Sequence, residues 1–175
     1  MDGAFSGLIA ARREMRRRVT SGGAPRILEQ QEAIAGALAQ ALAAMPSAAL
    51  RAPGGEQDWN VAQAFAHTTA ARRFLPAWAA MAAAGEWPAE RPPLVTPSVP
   101  GSPDASAAEL LILLEKSRRS QARSAEQLAG HETERCPLDH PLVGRLRCGD
   151  WLLFAGVHDL MHLEQLARIA GLWQR

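Results

Sequence analysis

DWLLFAGVHDLMHLEQLARIA, residues 150–170, is the stretch whose reading decides this chain. Its apolar residues return every three to four positions, so it reads as an amphipathic helix, with Asp150 as its cap and Gly171 as its stop. His158 and His162 stand four residues apart, one above the other on a helical face, so both rings can reach one point in space. Taking His158 as zero and advancing about 100° per residue puts His162 at about 40°, Trp151 at about 20° and Gln165 at about −20°. Asp159, at about 100°, and Glu164, at about 240°, fall off that stripe. The interior set predicted here is therefore His158, His162 and Gln165, with Glu164 as a surface or subunit-contact carboxylate.

Before this helix, residues 131–149 read as a loop holding His131, His140, Cys136 and Cys148, with both histidines exposed. Another helix precedes it, opened by Ser106-Ala-Ala-Glu109, which fits a capping box, and stopped at Gly130. From Gly85 to Asp104 the chain carries prolines at 88, 92, 93, 97, 100 and 103. Neither a helix nor a central strand tolerates that density, so the segment reads as an extended crossover that lets its flanking helices run parallel. Asp58 is the expected cap of a helix running to Met81, with Pro76 kinking it or splitting off its last turns. Residues 25–45 form the first long helix, with Ile27, Ile34, Leu38, Leu42 and Met45 on one side, after a break at Thr20-Ser-Gly-Gly-Ala-Pro25. No stretch shows the two-residue period of a strand.

The expected fold is all-α: a four-helix bundle with a long Pro-rich crossover between helices 2 and 3 and a short N-terminal helical segment. Residues 1–24 form that Arg-rich segment and residues 25–175 the bundle domain. Residues 4–19 set Met15 and Val19 against arginines at 12, 13, 16, 17 and 18. Arg12/Arg16 and Arg13/Arg17 are like charges one turn apart, a repulsion that an acidic partner or a bound anion would relieve.

Net charge bounds the partners. A formal charge of +1 over 175 residues offers no general pull toward nucleic acid or anionic lipid, so neither is expected, the arginine segment notwithstanding. No run approaches the length of a membrane span, and the N-terminus lacks a basic then apolar leader, so the expected location is the cytoplasm. Two cysteines without CxxC spacing read as free thiols.

The chain has five histidines, at 67, 131, 140, 158 and 162. His67 lies mid-helix with Gln63, Ala70, Phe74 and Trp78 on its stripe, which makes it the candidate third ligand. Three neutral imidazoles bind a borderline divalent ion and leave a fourth position for water. The alternative is a set of core histidines, each hydrogen-bonded to a carbonyl or a glutamine.

Trp59-Asn-Val-Ala-Gln-Ala-Phe-Ala-His67, the Pro-rich gap and His158-x-x-x-His162-Leu-Glu-Gln165 together resemble the DinB/YfiT-like superfamily of metalloenzymes, over roughly residues 25–170. The resemblance implies a four-helix bundle, frequently a homodimer, holding zinc, nickel or iron on His67, His158 and His162. It also implies the thiol-dependent transferases and isomerases of that family, which use bacillithiol or mycothiol. His158-x-x-x-His162-x-Glu164 is similar to the iron-binding domain of ergothioneine-type sulfoxide synthases too. Those enzymes carry a further large domain that 175 residues do not supply, so an oxygenase of that type is not expected.

An open trihistidine zinc site lowers the pKa of bound water to roughly 7, or holds a thiol as thiolate. No carboxylate is expected on the histidine stripes, and HExxH is absent, so metal activation of the nucleophile is favoured over a protease-like pair. Gln165 is the candidate for orienting substrate or water. The function expected is a metal-dependent transferase or hydrolase acting on a small molecule, with a low-molecular-weight thiol as co-substrate. The alternative is a non-catalytic, dimeric metal-binding or stress-response bundle protein.

Overall fold

The computed structural model describes the backbone of residues 2–54, 58–90, 99–141 and 143–173, with side chains from residue 10 to residue 171. Four helices dominate: α1 (Asp2–Ala43), α2 (Val61–Ala83), α3 (Ala107–Leu128) and α4 (Cys148–Trp173). A short 3-10 turn, Ser47–Arg51, follows α1, and an antiparallel hairpin, β1 (Arg135–His140) with β2 (Gly144–Arg147), precedes α4. The chain is mostly helical, and the hairpin corrects the expectation of a strandless loop over 131–149. The centre of the Pro-rich segment, residues 91–98, lies outside the described residues, and with it the expected crossover path.

The break expected at residues 20–25 is present as a kink at Gly23, where two helical segments of α1 meet. Only Gly23 leaves helical geometry, at φ 63° and ψ −177°, a left-handed value that a side chain would strain. The Glu132 carboxylate receives the N–H groups of Ala24 and Gly130, each at 2.9 Å, and so ties the kink to the end of α3. Burial pushes the Glu132 carboxyl up, but its backbone donors outweigh that and hold it below the ordinary carboxylate range. Before the kink, Met15 and Val19 are buried as their spacing predicts, and Glu14 bridges Arg17 and Arg18 as the acidic partner the arginine run required.

Helix ends follow local hydrogen-bonding chemistry rather than the nearest acidic residue. The cap of α2 is Asn60, not Asp58: its side chain accepts the Gln63 N–H, and Gln63 returns a bond to the Asn60 N–H, a complete capping box. Ser106 and Glu109 do the same for α3, and Gly130 at φ 87° ends it. Asp150 does not cap α4. It sits inside the first turn and accepts the Arg147 N–H at 3.0 Å, so the helix begins at Cys148. The helix also runs past Gly171, to Trp173, and α2 continues unsplit through Pro76.

Both α1 and α2 pack on α3 and α4, while α3 and α4 touch each other little. Apolar burial falls into two clusters. One gathers the kink region of α1, the end of α2, the hairpin and the start of α4, around Trp151 and Leu152. The other gathers the end of α1 and the starts of α2 and α3 with the later part of α4, around Phe65, Leu110 and Leu166. Such clusters supply most of a helical protein's stability, at about 25 cal/mol for each Å² of apolar surface removed from water. No helix among the described residues is long and apolar enough to cross a membrane.

Candidate metal centre

His67 lies two turns into α2, on a helix whose start the Asn60–Gln63 box fixes. His158 and His162 come from consecutive turns of α4. The three rings meet: centroids are 5.2 Å apart for His67 and His158, 5.4 Å for His67 and His162, and 4.6 Å for His158 and His162. One ring nitrogen from each lies within 4.8 Å of the others, a spacing that one ion can bridge. Among the described residues these are the histidine, cysteine and acidic side chains that gather in this way.

The walls are specific. Trp59, buried at the start of α2, places its ring 5.2 Å from that of His67. Nδ1 of His162 lies 3.0 Å from Gln165 Oε1, and the amide nitrogen of Gln165 donates to the Gly54 carbonyl. Gln165 therefore stands on the histidine stripe as expected, with both ends of its amide engaged. A Cβ at Gly54 would come 2.7 Å from the Asn60 carbonyl oxygen, so the chain passes there too closely for any other residue.

Two features correct the sequence-based expectations. Asp159 is fully buried rather than off the interior face, paired with Arg72 of α2, and its Oδ1 lies 3.9 Å from His158 Nδ1. Glu164 is exposed, as expected. His140 is half-buried, not an exposed loop residue: the hairpin lays its ring on Phe154, 4.8 Å between centroids, one turn before His158. Its Nδ1 accepts the Val143 N–H at 3.3 Å. Burial first, and the nearby charge of His158 second, hold its pKa below the ordinary histidine value. His131 remains exposed, paired with Glu134. Sequence reasoning missed His140, Asp159 and Arg72. The signal for His140 was the Cys136–Leu138 alternation that makes β1 a strand.

Cys136 and Cys148 are free thiols, both buried. The hydrogen bond between them lowers Cys136, and the same contact together with burial raises Cys148.

The donor set suits a transition ion. Three imidazoles converge from two helices, the Nδ1 of His162 faces an amide acceptor, and the buried Nδ1 of His158 has no hydrogen-bond partner. Metal-ligating histidines are held at the nitrogen that does not bind the ion, as His162 is here by Gln165. The family model described as DinB superfamily matches residues 30–166, a span that contains all three histidines. No curated protein and no solved structure matches the chain.

Proposed function

The chain belongs to the DinB superfamily, and from that premise we propose that it is a metal-dependent enzyme acting on a small molecule. The observation that carries this reading is the meeting of His67, His158 and His162. These three hold a divalent ion, and imidazole donors suit zinc, nickel and iron. Held by three protein ligands, such an ion supplies Lewis-acid activation of a thiol or a water, for transfer to or hydrolysis of a small electrophile.

The chain's own residues do the rest. Gln165 receives the Nδ1–H of His162 and is itself anchored on the Gly54 carbonyl. It would thus fix the orientation of the His162 imidazole. Trp59 gives His67 an apolar neighbour. His140, on the hairpin, packs on Phe154, which precedes His158 by one turn of α4, and a neutral imidazole there serves to exchange a proton or orient a substrate. The working assembly in this reading is a four-helix bundle crossed by its Pro-rich segment. It acts as a homodimer in the cytoplasm, with a low-molecular-weight thiol as co-substrate.

Metal analysis of the purified protein tests this first. About one transition ion per chain is expected, lost in both His67→Ala and His162→Ala while helical content is retained. The loaded protein should then consume a low-molecular-weight thiol in the presence of an electrophile, and the metal-stripped protein should not. A chain that never carries an ion would sink the enzyme. An ion saturated by four protein ligands, with no thiol turnover, would mark the protein as a non-catalytic metal-binding bundle.

A further inference from the structure

One buried polar layer joins all four helices between the two apolar clusters. Arg72 and Asp159 are both fully buried and form an ion pair. The remaining Arg72 donors reach Ser117 Oγ at 3.1 Å, the Gln31 carbonyl at 3.3 Å and Gln121 Oε1. Gln121 donates to Gln31 Oε1 at 3.2 Å, and Gln31 donates to the Leu152 carbonyl at 3.0 Å. Among the described residues, two buried side-chain polar atoms stand without a hydrogen bond, Asp159 Oδ1 and His158 Nδ1. Each is the other's neighbour, across 3.9 Å.

Orphaned buried polar atoms are rare in folded proteins, and two facing each other mark a contact waiting to be made. That gap is too long for a hydrogen bond, and a shift of about 1 Å would close it. We propose that Asp159 is a positioning residue for His158. Its Oδ1 takes the Nδ1–H of His158 and leaves Nε2 to face the ion, while Arg72 holds the carboxylate in that orientation. This rests on the trihistidine reading above. The neighbouring ligand provides the parallel, since His162 is held at Nδ1 by Gln165, three residues on along α4. Both α4 ligands would then be fixed at Nδ1 from their own helix. Arg72 adds a link to α2, where it lies five residues beyond His67, so one guanidinium couples the helices that carry all three ligands.

The test uses the full chain with ¹⁵N-labelled histidines, and reads the His158 tautomer by NMR without metal and with zinc. The proton is expected on Nδ1 in both states, with Nε2 shifting when zinc binds. A proton on Nε2 without metal, or an Nδ1 that shifts as the bound atom, overturns the proposal. Zinc titration against a chelating indicator gives the second arm. Asp159→Asn is expected to lose about 10- to 100-fold in zinc affinity, and Asp159→Glu to recover part of it. A folded Asp159→Asn protein that binds zinc as tightly as the parent also overturns the proposal. If Asn beside a buried arginine prevents folding, the tautomer of the unmodified protein decides alone. A parent chain that binds no zinc would sink the trihistidine reading, and its metal-free tautomer would still decide the Asp159 contact.

Discussion

Arg72 and the arginines at 17 and 18 put the same side chain in opposite settings. Arg72 is fully buried and meets a carboxylate, a hydroxyl, a carbonyl and an amide from the three other helices. Arg17 and Arg18 share Glu14 on their own helix, with side chains 65% and 53% exposed. In the first setting every partner stands on a helix other than Arg72's own, so the guanidinium specifies how the helices meet, and any change is felt throughout the layer. In the second, water can replace every bond, so the pairing adds little and any change is local. Where an arginine's partners come from, rather than how many it has, decides what it does for the fold.

The largest effect expected comes from removing Arg72. Arg72→Ala leaves the Asp159 carboxylate buried without its partner, and breaking a buried pair in this way costs about 3–5 kcal/mol. Chemical denaturation should show that loss as a lower midpoint with an unchanged slope. Replacing both partners, Arg72→Met with Asp159→Leu, should recover most of it, because two apolar side chains of similar volume carry no desolvation penalty. If the double variant is no more stable than Arg72→Ala, the layer acts through its outer bonds to Ser117 and Gln121 rather than through the ion pair.

A smaller effect contrasts two glycines in helices. A Cβ at Gly156 of α4 would sit 2.5 Å from Gln31 Nε2, whereas one at Gly36 of α1 would meet nothing within 4 Å. Gly36→Ala should therefore stabilise by about 0.5–1 kcal/mol, the usual gain in a helix interior. Gly156→Ala carries the same propensity gain but pushes Gln31 off the Leu152 carbonyl, an overpacking cost of about 1–3 kcal/mol. Thermal melts of the two should move in opposite directions. Equal upward shifts would show that Gln31 can swing away freely, and that the layer is looser than its bonds suggest.

The parts of the molecule set by period were legible in the sequence, and the parts set by encounter were not. The helices around Leu38, Phe65, Leu114 and Leu166 follow from apolar spacing, and the fourfold spacing of His158 and His162 forces them onto one face. Asn60 could have been found as the cap, since Gln63 completes its box three residues on, whereas Asp58 has no such partner. The hairpin was harder to see. β1 is six residues long, contains Pro137, and buries only Cys136 and Leu138 on its inner face. Arg72 was not legible at all. It stands beside Arg73, and only the arrival of Asp159, Ser117 and Gln121 from other helices decides which of the two turns inward.

The smallest effect belongs to the exposed arginines, and there pH is the sharper probe. Hydrogen bonds from Arg17 and then Arg18 hold the Glu14 carboxyl down at about 2, from an ordinary 4.5. A depressed carboxyl stabilises the fold fully above its unfolded value and loses that contribution as pH falls through its folded one. Any benefit from Glu14 is thus present at neutral pH and fades between about 4.5 and about 2. Because the Glu14 side chain is 44% exposed, solvent and salt screen most of it. Glu14→Gln should leave the melting temperature at pH 7 and 0.15 M salt within about one degree of the parent, with a slightly wider gap at low salt. Below pH 2 the two proteins should converge, since both then carry a neutral side chain. A large loss at pH 7 that salt does not reduce would place Glu14 and its arginines with the buried layer, and the contrast between the two settings would collapse.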